Sequence, residues 1–270
     1  MANKKQTAKK TGPKTLRERC ADIYKKAQKQ SRKSKGWRRF FIALFGLGLA
    51  TWVGVALFAV QWGISFLLVK LIPVDFWLSN VGNAVYQVIV YAVALLVIIF
   101  VPWKLFKKKT TRDELGLRGL PTWTDVLLAP IGFIVTIILS AALTALMTAI
   151  LPGINWQETQ QVGYDRGTLY RFSDFALAFS CLVILAPVCE EIIFRGWLYG
   201  KLRFRMPAVP AILITSVLFG IMHGQWNVGV TVFAMSLGMC VMRELTGTIW
   251  GGVLLHMIKN GIAFYFLFII

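Results

Sequence analysis

The stretch Ser173–Arg205, SDFALAFSCLVILAPVCEEIIFRGWLYGKLRFR, is apolar through Val188. It carries Cys189-Glu190-Glu191 in its middle and resumes a helical apolar pattern before Lys201, Arg203 and Arg205. A run of this length can cross a hydrocarbon core of about 30 Å as a helix. Peptide groups in that core have no water to bond, so a spanning segment is a helix or part of a closed barrel. The apolar residues here lack the alternation that a barrel strand needs. Ionisable groups at the centre of a span each cost about 2.5–3.5 kcal/mol on insertion scales, so the two carboxylates are functional candidates from the outset.

The same character extends outward. The chain has 270 residues, 57% of them hydrophobic, with a mean hydropathy of +0.63. Phe40–Ile72 is one apolar stretch broken by Gln61 and Lys70 and reads as a single long or bent span. Further spans are expected over Val81–Phe106, over Asp125–Leu151 with Thr122 or Thr124 as its cap, and over Ala211–Gly224, which ends in His223. Val228–Met242 follows, and a last span begins near Thr248, with Gly261–Ile270 as its continuation or a short final piece. The polar segment 154–172 reads as a connector or, more sharply, as a substrate lid or an interfacial helix. The expected fold class is all-α: a polytopic transmembrane helical bundle of about seven or eight spans. Residues 1–39 form a basic tail, 40–122 two spans and their loop, and 123–270 a membrane core.

The formal net charge of +18 is concentrated in that tail, where 15 Lys and Arg face only Glu18 and Asp22. The positive-inside rule puts such a tail in the cytoplasm, against anionic headgroups, and the protein in the cell membrane as a multi-pass chain. Phe40 onward reads as a retained anchor. No nucleic-acid partner is expected, because the tail offers only Tyr24 and Trp37 as aromatic platforms and no binding fold. The four cysteines form no CxxC pair and no disulfide framework.

The two histidines of the chain, His223 and His256, both fall in apolar segments. Pro207 lies 16 residues after Glu191 and 16 before His223, about 24 Å along each helix, so an antiparallel hairpin levels the two. His256 and Asn260 are spaced i, i+4 and share a face, as do Glu191 and Arg195, a spacing suited to an ion pair that leaves Glu190 the freer carboxylate. Phe219, four residues before His223, supplies an apolar wall. A Glu and a His converging on water could activate it for attack on a carbonyl, while a second His and an Asn amide donate to the oxyanion. Other readings stay open at this stage. The residues could form a polar network that glues helices together in a non-enzymatic immunity or scaffold protein. Glu190, His223 and His256 could instead ligate a divalent metal such as zinc, although no HExxH spacing is present. Cys189 is better read as an apolar filler than as a nucleophile.

At these residues the chain resembles the CPBP or ABI family of intramembrane proteases, which includes CAAX prenyl endopeptidases and bacteriocin-processing or self-immunity proteins. The matching elements are Glu190-Glu191-x-x-x-Arg195, Phe219-x-x-x-His223 and His256-x-x-x-Asn260, over about residues 173–264, with weaker echoes in DELGLRGLPTWTD at 113–125. The resemblance implies an intramembrane endopeptidase acting near the cytoplasmic half of the bilayer on a membrane-associated peptide or protein. Glu190 would activate water with His223 assisting, Glu191 and Arg195 would hold the site, and His256 with Asn260 would stabilise the oxyanion. It also implies that no metal cofactor is required.

Overall fold

The computed structural model describes residues 35–107, 109–158, 160 and 162–270. Residues 1–34 of the expected basic tail thus lie outside the described residues. The main elements are α1 (Lys35–Leu71), α2 (Asn80–Phe106), α3 (Trp123–Ile150), α4 (Phe172–Arg203), α5 (Ala208–Ile221), α6 (Trp226–Thr246) and α7 (Trp250–Phe268). Six of the seven are long and apolar enough to cross a membrane, and α5, at 14 residues, is shorter. The protein is a polytopic helical bundle.

Helix α1 is uninterrupted through its 37 residues, about 55 Å at 1.5 Å per residue. It starts inside the expected tail, at Lys35. Gly261–Ile270 continues the last helix instead of forming a separate piece. The outer surface is apolar, with side chains such as Phe58, Leu96 and Ile138 exposed as a lipid-facing bundle requires. Helix α4 is the enclosed one: half of its most apolar window is buried inside the protein, against 11% for α3. Its Trp197 and Leu202 share one buried cluster with Val53, Ile98, Met235, Met239 and Leu255 of the helices around it.

Helix α3 opens on a reciprocal cap. The Asp125 amide donates to Thr122 Oγ1 at 3.4 Å and the Thr122 amide to Asp125 Oδ2 at 2.9 Å, which satisfies two amides that have no partner within the helix. Asp125 is fully buried and also accepts from the Thr248 hydroxyl at 2.9 Å, fixing the start of α3 to the α6–α7 turn.

The segment 111–119 braces the end of the bundle at which α4 finishes in Lys201 and Arg203. Gly116 sits there at φ 75°, and a Cβ on it would lie 2.6 Å from the Arg243 guanidinium carbon, so only glycine fits. Arg243 is buried and donates to the carbonyls of Glu114, at 3.0 Å, and of Gly247. Lys201 pairs with Glu114 at 2.8 Å.

At the opposite end lies the loop 152–171. Apart from a short turn at Arg166–Thr168, its described residues form no helix. It is strapped to the helix ends: Asn80 donates to Thr168 O at 2.9 Å, Asn83 to Gly163 O at 2.5 Å, Asn227 to Glu158 O at 2.6 Å, and Arg166 to Ile269 O at 3.1 Å.

One expected boundary is corrected. His223 lies beyond α5, not within it. The chain tightens there to i−3 bonds, from His223 N–H to Gly220 O at 3.2 Å and from Gly224 N–H to Ile221 O at 3.1 Å. Gly224 then turns at φ 72°, which ends the helix.

Candidate active site

Helix α4 sets the frame. Its backbone widens to π-type turns over Ser180–Leu185 and again over Ile192–Leu198, so the glutamate pair sits on the α-helical turn between them. Such widenings frequently mark functional positions. The Ala186 amide bonds to Cys181 O, five residues back. In that register the next donor would be residue 187, which is Pro187 and has no N–H. The Leu182 carbonyl is instead met by Asn260 Nδ2 at 2.8 Å, which ties α7 to α4 beside the glutamates.

Glu190 and Glu191 occupy different environments. Glu191 is fully buried, and its Oε1 accepts from Arg195 Nη1 at 2.7 Å. Arg195, equally buried, lays its guanidinium over the Phe219 ring at 4.3 Å, a cation–π contact of the kind that offsets lost hydration. His256 Nδ1 lies 3.4 Å from the same Glu191 oxygen. Helix α7 comes this close because position 252 is glycine: a Cβ there would stand 2.8 Å from Glu191 Oε2.

Glu190 faces a cavity of about 360 Å³, and its Oε1 accepts from the Tyr91 hydroxyl at 2.7 Å. Its Oε2 is buried and without a hydrogen-bond partner among the described residues. His223, His256 and Asn260 line the same cavity. His223 Nδ1 is 2.8 Å from Phe219 O. A carbonyl only accepts, so this bond puts the proton on Nδ1 and leaves Nε2 as the ring's free nitrogen. Phe219 is the hub of the site, with ring centroids 4.9 Å from Phe194, 4.9 Å from His223 and 5.9 Å from His256.

Of the seven residues singled out in the sequence, Glu190, His223, His256 and Asn260 therefore share one cavity wall. Glu191, Arg195 and Phe219 pack behind it. Among the described residues no group of three or more His, Cys, Asp or Glu side chains is placed so that it could hold a metal ion.

Sequence reasoning passed over Tyr91 and Lys259, which both line the cavity. Tyr91 ends a polar stripe on α2, Asn83-Gln87-Tyr91, spaced i, i+4, i+8 in a largely apolar helix, and that stripe is its signal. Lys259 is an ionisable residue inside a span, open to the same argument that flagged the glutamates.

On α7 the cavity wall runs from His256 to Phe268, and Gln160 and Val162 of the strapped loop close its far end. The cavity thus extends from Glu190 toward the loop. Glu190 itself lies nearer the other end, 13 residues from Arg203 against 18 from Phe172.

A buried polar centre walled by helices of a polytopic bundle defines the class. Residues 172–262 match the model of the family described as Rce1-like, type II CAAX prenyl endopeptidase Rce1-like. A protein of Bacillus subtilis (strain 168) described as "Putative membrane peptidase YdiL" is 34% identical over 77 residues, which is 28% of this chain and 32% of that protein. The match thus spans about a third of the length of that curated relative. No solved structure matches. Residues 172–262 are thus similar to this family of membrane proteins.

Proposed function

We propose that the chain is an intramembrane endopeptidase, hydrolysing a membrane-associated peptide or protein by water activated between Glu190 and His223. The observation that carries this reading is the state of Glu190. One oxygen is held by Tyr91, and the other is buried, without a partner among the described residues, on a cavity shared with both histidines. The similarity of residues 172–262 to CAAX prenyl endopeptidases, and to a Bacillus protein described as a putative membrane peptidase, supports a peptidase.

In this scheme Glu190 Oε2 accepts a proton from water as the water oxygen bonds to the scissile carbonyl carbon, with His223 Nε2 orienting the same water. The resulting oxyanion is met by the second Nδ2 hydrogen of Asn260, whose first is engaged by Leu182 O, and by an Nε2–H of His256. Collapse breaks the C–N bond, and the proton held on Glu190 passes to the departing amine. Water is consumed, and a carboxyl and an amino terminus are released. Glu191 and Arg195 hold His256 and Phe219 in place. The protein lies in the cell membrane among lipids, with the basic tail on the cytoplasmic side by the positive-inside rule.

The test is cleavage of candidate membrane peptides by the purified full chain and by its Glu190→Ala and His223→Ala variants. Loss in both is expected. Undiminished cleavage in both sinks the proposal.

A further inference from the structure

Lys259 is a cation that the scheme above does not use. It lies on α7 between His256 and Asn260 and lines the cavity that holds Glu190. It also lines a second cavity of about 240 Å³ under the loop, walled by Trp156, Gln160, Asn227 and Thr231 among others. The residue therefore borders both spaces. No hydrogen bond or close ion pair to a described residue holds it, and Glu190 acts on it only through space. A lysine inside a span persists where something offsets its lost hydration. The two cavities it borders carry the neutral polar groups Gln160, Asn227, Thr231 and Asn260, the two histidines, and one carboxylate, Glu190, that is already bonded to Tyr91.

We infer that Lys259 binds a carboxylate of the substrate and so fixes which peptide bond is presented to Glu190. This rests on the peptidase reading of the same cavity and adds a residue that determines specificity. Glu190, Lys259 and Gln160 of the loop line one cavity, so a chain laid along it can meet both the carboxylate and the ammonium. The carboxylate can come from two sources, the C-terminus of the peptide or an Asp or Glu side chain a few residues from the cleaved bond. A neutral peptide would leave the ammonium uncompensated in a space that the peptide itself has emptied of water.

The experiment measures binding, so that its outcome is separate from that of cleavage. The full chain carrying Glu190→Gln, purified in detergent, is titrated with an acetylated apolar hexapeptide in three forms: with a free C-terminal carboxylate, amidated, and amidated with one Glu near the C-terminus. The same titrations are run with Lys259→Met added, and circular dichroism checks that both proteins are folded. Binding of at least one carboxylate form about 10-fold or more tighter than the plain amide, with that preference abolished by Lys259→Met, supports the inference. Preference for the free terminus assigns that source, and preference for the Glu form assigns the side chain. Equal binding of all three forms overturns it, as does binding of none, or an equal loss for all three on Lys259→Met. Failure of Glu190→Ala to reduce cleavage would overturn the peptidase reading while leaving a carboxylate preference standing.

Discussion

The hydroxyl of Tyr91 donates to Oε1 of Glu190 at 2.7 Å, joining residues 99 positions apart. The bond fixes the carboxylate's rotation, so that Oε2 is the oxygen left for water. Hydrogen bonds to charged groups contribute about 1.5–3 kcal/mol. Tyr91→Phe keeps the ring and removes only the donor. Cleavage by this variant is expected to fall about 10-fold or more, in proportion to that energy, with thermal stability in detergent close to that of the wild type. An unchanged rate would show that Glu190 is oriented without Tyr91.

Glu191 and Arg195 form a fully buried pair, and removing one partner of such a pair costs about 3–5 kcal/mol. Arg195→Met is therefore expected to lower the thermal unfolding midpoint and the folded yield sharply. The double variant Arg195→Met with Glu191→Gln, which leaves no unpaired charge, is expected to recover part of the loss. Midpoints read from tryptophan fluorescence in micelles check both statements.

Asn260 and Pro187 are coupled through the Leu182 carbonyl, the first supplying the donor that the second lacks. Asn260→Leu orphans that acceptor, at a cost of about 1–3 kcal/mol. Pro187→Ala restores an amide at the position five residues on from Leu182. The loss caused by Asn260→Leu is therefore expected to be smaller in the Pro187→Ala background. A double-mutant cycle of unfolding midpoints measures the coupling, and additive effects would contradict it.

How much of this was legible in the sequence depends on how far apart the partners lie. The helices were readable because each is an apolar run, and a threonine cap on α3 because capping is local, with Thr122 and Thr124 both open and the reciprocal bond to Asp125 unread. Glu191–Arg195 was readable as an i, i+4 pair on one helix. Tyr91–Glu190 was not, since nothing local relates α2 to α4. The π-type turns of α4 were also hidden, because their register depends on how the neighbouring helices pack around Pro187. His223 reads as the end of a helix because the apolar run continues to it; the i−3 bonds at His223 and Gly224 and the positive φ of Gly224 put it in the turn. Lys259 was visible as a charge in a span and was passed over because it sits inside the His256-x-x-x-Asn260 motif.

Water activation by Glu190 and His223 makes a prediction about metals. The wild-type protein, dialysed against a strong chelator and assayed in its presence, is expected to retain its cleavage rate. Loss in chelator with recovery on adding zinc would contradict this and make Glu190, His223 and His256 candidate ligands instead.

The central claim concerns the charge on one side chain. Glu190→Gln preserves the size of the group and an oxygen to accept from Tyr91, and removes the base. In a cleavage assay with the full chain in lipid vesicles, this variant is predicted to remain folded and to lose a factor on the order of 10²–10⁴ in rate, the span typical of positioned acid–base groups. A folded Glu190→Gln protein that cleaves at the wild-type rate would contradict the account.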